Sequence, residues 1–431
     1  MTPPIPERIG KYDVHKLIGV GSTAAVYLGY DAFAQREVAI KLFHPEVLGD
    51  PQKGRLYRHL LMNEAALAGK LDHPHIVQIL DAAATGTEGY VVMEHVPGGT
   101  LEAWTQPGHL LPFDRLIEII FKCSRALDYA FHQGITHRDI KPANILLTDP
   151  DGQDIRISDF GAALFTAAET TQVQGVGSPA FMSPEQVREQ PLNHQTDIYS
   201  LGVVMYQLLC GRLPYEASNT YSLLYRITQE EPLPPSTYRA EIPPVLDDIV
   251  RRAMRKELSA RYASWEEFSH DLAQAFRNRS LEVPSDKVPD AEKFQSLRRM
   301  HFFRHFSDVQ IWEVVGFSEW TQLQPGTQVM KENEPGQYFC LLVEGEARVK
   351  KRGRHLQMLT SGDCFGEMAL FAPSAGFRSA TVETTTRAKM ITIRMESLQR
   401  ASDGCRMHFY RAFLEVLANR LSLANSRMAA L

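Results

Sequence analysis

Residues 137–147 read HRDIKPANILL, and the side-chain types in that run suit proton and metal chemistry. Asp139 offers a carboxylate that can accept the proton of an attacking Ser or Thr hydroxyl, and Asn144 offers an amide oxygen that can hold a metal. Asp159, in Asp159-Phe160-Gly161, supplies the second oxygen ligand that a divalent cation such as Mg²⁺ or Mn²⁺ requires. His137, Arg138, Asp139, Lys141 and Asn144 at these offsets would arise by chance on the order of once in ten thousand chains of this length.

Upstream, Ile18-Gly19-Val20-Gly21-Ser22-Thr23-Ala24 joins two strand-like runs. Glycines there let backbone approach a triphosphate without side-chain clash, although a plain structural turn would look the same. Val38-Ala39-Ile40-Lys41 is a strand ending in an ammonium that can meet phosphate oxygens or simply face solvent. Glu64 on the following expected helix favours the first reading, because its carboxylate can pair with Lys41 and fix it.

The elements that must carry these groups follow from periodicity. Residues 1–11 read as a proline-rich lead-in, and 12–41 alternate as an antiparallel sheet does. Helical spacing over 56–70 (Leu60, Leu61, Leu67) gives one helix, which stops before Pro74. Helical patterns then dominate 111–276, broken by short strands at 145–147 and 155–158. Residues 277–295 begin RNRSLEVPSDKVPD, without apolar period, and mark a linker. Residues 296–431 form a second domain. Over 323–395 short strands are punctuated by Pro325-Gly326, Pro335-Gly336, Gly345, Gly353 and Gly362, as in a jelly roll. A last helix over 407–424 lines up Tyr410, Phe413, Leu414, Leu417 and Leu421 as one apolar face. The expected class is α+β.

A length of 431 residues suits two or three domains. The net charge of -5 argues against sequence-blind nucleic-acid binding. Five cysteines without a CxxC pair suggest reduced thiols in a cytoplasmic protein. No stretch has the length of a membrane span, and the N-terminus lacks the apolar run of a signal peptide.

With these motifs in this order, residues 12–276 resemble the eukaryotic-type protein kinase family, in a form similar to bacterial serine/threonine kinases. The resemblance implies a bilobal fold and transfer of the ATP γ-phosphate to protein substrates. It makes 92–96 the hinge for adenine, with Met93 as gatekeeper, Glu94 and Val96 at the base, and Val26 and Ala39 roofing it. Ile18, Gly19 and Gly21 belong to the phosphate loop. It makes 159–185 the activation segment, with Ser183-Pro184-Glu185 in place of the commoner Ala-Pro-Glu. Arg261 becomes the partner of Glu185, and Asp197 the brace of the catalytic loop. Lys141 and Ser178 imply Ser/Thr rather than Tyr as acceptor. Ala24 stands where a third glycine is usual, which negative φ would tolerate. Arg138 beside Asp139 would dock a phosphate on Thr170 or Thr171, implying activating autophosphorylation.

Residues from about 300 to 400 resemble the cyclic-nucleotide-binding domain family. The resemblance is carried by Gln324-Pro325-Gly326-Thr327, Glu334-Pro335-Gly336, Val343-Glu344-Gly345-Glu346, residues 362–370 (GDCFGEMAL) and 377–382 (FRSATV). It implies that Arg378 neutralises a cyclic phosphate and Glu367 accepts from the ribose 2′-hydroxyl, with Gly366, Ala369 and Ser379 alongside. The implied ligand is cAMP or cGMP, with cAMP favoured. In the alternative, Arg378 and Glu367 merely pair with each other in a ligand-free assembly module. A homodimer through the kinase domain or the last helix is the partner it implies.

Overall fold

The computed structural model describes residues 3–50, 54–67, 69–85, 88–149, 154–160, 164–165, 179–280, 288–368 and 377–429. The chain divides into two compact units, Met1–Arg279 and Ser280–Leu431. Among the described residues no helix is long and apolar enough to cross a membrane.

The first unit opens with an antiparallel sheet of six strands. In chain order these are β1 (Arg8–Ile9), β2 (Tyr12–Val20), β3 (Ala24–Asp31), β4 (Arg36–Phe43), β5 (Ile79–Thr85) and β6 (Glu88–Glu94), arranged β1-β2-β3-β4-β6-β5. The expected lead-in over 1–11 therefore contributes a strand, and the Tyr27 hydroxyl also donates to the Pro4 carbonyl at 3.0 Å. Strand alternation explains where Lys41 goes. Val38 and Ile40 pack with Tyr12, Tyr27 and Val92 on one face. Ala39 and Phe43 pack with Val91 and Met93 on the other, so Lys41 emerges on that second face. Helix α1 (Gly54–Ala66) lies against β5 and β6 and buries Leu60, Leu61 and Glu64.

Below the sheet, α2 (Phe113–His132) and α3 (His194–Cys210) form the helical core. Helix α3 is buried almost all round. Asn193 caps its start by accepting from the Gln195 N–H, and Gly211 at φ 73° closes its end. Four short strands follow α2: β7 (Ile135–Thr136), β8 (Ile145–Leu147), β9 (Ile155–Ile157) and β10 (Leu164–Phe165). The β8/β9 hairpin pairs Ile145 with Ile157, and the Ser158 N–H donates to the Asn144 carbonyl at 2.9 Å. Asn144 and Asp159 are thereby brought side by side at the hairpin's open end. Helix α4 (Thr220–Gln229), α5 (Pro244–Ala253) and α6 (Trp265–Ser280) complete the unit.

Within the expected linker over 277–295, α6 runs to Ser280 and α7 (Asp290–Arg299) begins. Ala291, Phe294 and Leu297 bury one face of α7, an apolar spacing hidden in the sequence by seven charged or polar neighbours. Helix α8 (Asp308–Phe317) follows, opened by a reciprocal Ser307/Gln310 capping box.

The jelly roll consists of two four-stranded sheets. One orders β11 (Glu319–Leu323), β18 (Ala388–Arg394), β13 (Tyr338–Glu344) and β16 (Cys364–Phe365). The other orders β12 (Gln328–Met330), β17 (Thr381–Thr384), β14 (Ala347–Lys351) and β15 (Arg354–Leu359). Cys340, Leu342, Ala347, Leu359, Val382 and Met390 fill the space between them. After α9 (Met395–Arg400), α10 (Asp403–Ala429) packs Phe409 and Phe413 onto Phe302, Phe303 and Phe339. The single apolar face expected for this helix is in fact two. Phe409 and Phe413 are buried, whereas Met407, Tyr410, Leu414 and Leu421 are exposed.

Candidate active site and second-domain pocket

Lys41 leaves β4 and reaches two carboxylates: Glu64 Oε2 at 3.1 Å and Asp159, with which it makes a direct ion pair. Glu64 is buried, whereas the Asp159 side chain is 41% exposed and so faces an open cleft. Burial works against charge on Lys41, but Asp159 and Glu64 outweigh it and hold the ammonium protonated. The protein around Asp159 withdraws part of its water and opposes its ionisation even at the cleft, but Lys41 overrides this and keeps that carboxyl below the usual range.

The catalytic loop is held from beneath. Asp197, in the first turn of α3, accepts from the backbone N–H groups of His137 and Arg138, both at 2.7 Å. Arg138 and Asp159 sit at φ 70° and 68°. Left-handed backbone at a non-glycine residue costs about 1–2 kcal/mol, and charge-assisted bonds such as those from Asp197 contribute about 1.5–3 kcal/mol each. The loop conformation is thus stable because Asp197 is there. Lys141 Nζ donates to Asp139 Oδ2 at 2.7 Å, and Asn144 Nδ2 donates to the Asp139 carbonyl at 2.8 Å. With its amide nitrogen so engaged, Asn144 has its oxygen for a cation. That oxygen and the Asp159 carboxylate are hard donors of the kind Mg²⁺ takes.

His137, fully buried, sets its ring 4.4 Å from that of Phe160, so Phe160 is packed inward. The segment closing the site is anchored by Glu185, whose two oxygens take Arg261 Nη1 at 2.8 Å and Nη2 at 3.1 Å. Gln186 Nε2 donates to the Arg138 carbonyl at 2.9 Å, joining that anchor to the catalytic loop. Arg138 Nε is buried without a hydrogen-bond partner among the described residues. Thr170, Thr171 and Ser178 lie outside the described residues.

Facing this loop, Val26 and Val96 pack against Ala39 and Met93, with Leu146 closing the same cluster from the β8 side. Glu94 uses its carboxylate to accept from the Gln78 N–H at 2.9 Å and to pair with Arg156 at 3.3 Å. Ile18 is exposed at the end of β2, and the Gly21 N–H closes the glycine turn on the Ala24 carbonyl at 2.8 Å. A Cβ on Gly19 would meet Val26 at 3.7 Å, an ordinary contact. Ala24 does not have positive φ and is buried, so a third glycine is not needed there.

In the second unit a cavity of about 250 Å³ is lined by Met330, Val349, Glu367, Arg378, Ser379 and Arg420, among others. Arg378 is buried, donating to the Gly366 carbonyl at 2.8 Å and the Tyr338 carbonyl at 2.6 Å. Its backbone is pinned to the Glu334 turn, since its N–H donates to the Glu334 carbonyl at 2.8 Å. Gly366 sits at φ 85°, and a Cβ there would come within 2.5 Å of Met330 and 2.7 Å of Arg378 Nη1. Glu367 is fully buried and pairs with Arg420 of α10, not with Arg378. Ala369 lies outside the described residues, and Ser379 is exposed at the cavity rim.

A family model described as protein kinase domain matches residues 12–273. The chain belongs to that family. A model for the cyclic nucleotide-binding domain matches residues 320–403, so a kinase domain is followed by a domain of that second type. The chain is similar to the probable serine/threonine-protein kinase of Clostridium acetobutylicum, 34% identical over 286 residues, covering 66% of this chain and 41% of the relative. It is also similar to the serine/threonine-protein kinase PknB of Mycolicibacterium smegmatis, 32% identical over 295 residues, covering 67% and 46%. The serine/threonine-protein kinase PksC of Streptomyces coelicolor is 33% identical over 303 residues, covering 66% and 52%. The chain spans about half the length of these relatives or less.

Two residues of these sites carry no sign of their place in the sequence. Leu146 carries no polar atom, and only its packing with Val26 and Ala39 marks it as a wall of the cleft. Arg420 looks like any surface cation of an amphipathic helix until the crossing of α10 places it at Glu367.

Proposed function

We propose that this protein is a serine/threonine kinase that moves the γ-phosphoryl of ATP to protein hydroxyls, including its own. The observation that carries this reading is the convergence of Lys41, Glu64, Asp139, Asn144 and Asp159 on one cleft. Asp139 orients and deprotonates the acceptor hydroxyl as the phosphoryl is transferred, and Lys141 at 2.7 Å neutralises charge beside it. Lys41 holds ATP phosphates with its position fixed by Glu64, while adenine lies between Val26 and Ala39 above and Leu146 below. Magnesium, held by Asn144 and Asp159, would neutralise the phosphate oxygens. Protein substrates are the partners, and the setting is cytoplasmic.

Phosphorylation of Thr170 or Thr171 would dock the activation segment on Arg138. The buried Nε of that arginine supports this, since it has a donor to offer.

The second domain is read as a sensor of cAMP or cGMP, with Arg378 on the cyclic phosphate and Glu367 on the ribose. For regulation, the ligand must prefer the active or the inactive state. A second reading has its own observation: Met407, Tyr410, Leu414 and Leu421 repeat at 3, 4 and 7 residues on the exposed side of α10. That spacing would suit the seam of a two-stranded coiled coil, which would dimerise the chain for mutual phosphorylation. Phosphoryl transfer measured with and without each nucleotide decides between them. A changed rate supports the sensor, and an unchanged rate with dimers present supports assembly.

A further inference from the structure

Gln186 follows Glu185 in the short helix Pro184–Val187, and both ends of its side-chain amide are engaged. Oε1 accepts from the Ser183 N–H at 2.9 Å, and Nε2 donates to the Arg138 carbonyl at 2.9 Å. The first bond settles the second, because turning the amide over would set donor against donor at Ser183 and oxygen against oxygen at Arg138. The Arg138 carbonyl belongs to the peptide unit that joins Arg138 to Asp139. The N–H of that same unit, on Asp139, donates to His137 Nδ1 at 3.2 Å. Asp197 fixes the N–H groups of His137 and Arg138, and Asn144 holds the Asp139 carbonyl. Gln186 adds a hold on the peptide between them, and it does so from beside the Glu185–Arg261 anchor.

We infer that Gln186 is a positioning residue for Asp139: its amide donor fixes the Arg138–Asp139 peptide, so that docking of the segment before it and aim of the carboxylate go together. The inference rests on the reading of Asp139 as the group that takes the acceptor proton. Arg138 sits at φ 70°, a strained conformation for a non-glycine residue that persists only while its surroundings impose it. Freeing the carbonyl lets that peptide unit rotate and carries the Asp139 side chain with it. A small misplacement of a reacting group lowers turnover steeply. Because the bond is to backbone beside Asp139, its loss should act on kcat and not on the affinity for ATP.

Turnover of a generic protein substrate by the full chain with ATP and Mg²⁺ tests this, using wild type, Gln186→Leu and Gln186→Glu matched for phosphate content. Gln186→Leu has no donor, and its kcat should fall about tenfold, the worth of one hydrogen bond, with the KM for ATP unchanged. Gln186→Glu should be as slow at about pH 8, where its carboxylate opposes the Arg138 carbonyl. Toward about pH 6, protonation restores an O–H donor while the other oxygen still serves the Ser183 N–H, so kcat relative to wild type should rise. That recovery also shows the variant folded. Wild-type kcat in Gln186→Leu overturns the inference. A Gln186→Glu deficit that is equal at every pH, or that appears mainly as a raised KM for ATP, overturns it too, since either marks a residue that only caps its helix. If Asp139→Asn turns over as fast as wild type, the reading of Asp139 falls and the inference with it.

Discussion

Arg261 and Glu185, 76 residues apart, meet as a buried bidentate ion pair at 2.8 and 3.1 Å. Thr196 adds a hydrogen bond to the same Glu185 oxygen at 3.0 Å, and Arg261 also donates to the Gln195 carbonyl. The pair therefore ties the segment after the activation loop to the start of α3, where Asp197 supports the catalytic loop.

Removing one partner leaves the other charge buried and alone. Arg261→Ala should destabilise the kinase domain by about 3–5 kcal/mol, read by thermal or urea unfolding. Burial opposes ionisation at Glu185, but Arg261 outweighs it and holds the carboxyl below the usual range. A depressed folded-state pKa gives stability that is present above the unfolded value of about 4.3 and lost as pH falls through the folded one. Acid unfolding should accordingly begin at higher pH in Arg261→Ala than in wild type.

At Gly366 two constraints coincide, φ 85° and a Cβ position within 2.7 Å of Arg378 Nη1. Gly366→Ala should displace Arg378 and weaken cyclic-nucleotide binding about tenfold or more, by analogy with a lost charge-assisted bond. Unfolding of the kinase domain should not change. Calorimetry and a thermal melt read the two halves of the expectation.

Exposed apolar residues on α10 set up a third expectation. In the assembly reading, Leu414→Glu would place a charge between paired helices and should shift sedimentation velocity profiles from dimer to monomer. Intact nucleotide affinity would accompany the shift, because Leu414 is exposed and absent from the cavity lining.

Replacing Thr170 and Thr171 together by Ala should slow autoactivation about tenfold or more, as expected when a segment-ordering phosphate is lost. Phosphorylation time courses started from dephosphorylated enzyme measure it. Equal lag and final rate in both proteins would exclude these two sites.

Much of the candidate site's geometry was legible because its parts are local. The turn from Asp139 to Asn144 spans one loop, and the β8/β9 hairpin delivers Asp159 a short distance later. Glu64 was legible because helical spacing put a helix there and a carboxylate on it can pair with Lys41. The packing of α10 was not, since a run of apolar residues at helical spacing does not say which go inward. Phe413 turned to the core and its neighbour Leu414 to solvent, a division set by the aromatic cluster at Phe302, Phe303 and Phe339. Arg420 was hidden for the same reason: its partner Glu367 is 53 residues away, and only the docking of the helix brings them together. The strand at Arg8–Ile9 was too short to show alternation.

The central claim is phosphoryl transfer to Ser and Thr by Asp139, and phosphoamino-acid analysis after incubation with γ-labelled ATP and Mg²⁺ tests it most directly. Wild type should label itself and a generic protein substrate on phosphoserine and phosphothreonine, and Asp139→Asn should reduce that labelling at least about a hundredfold, in line with the loss of a general base. Label on phosphotyrosine, or equal labelling by Asp139→Asn, would contradict the account.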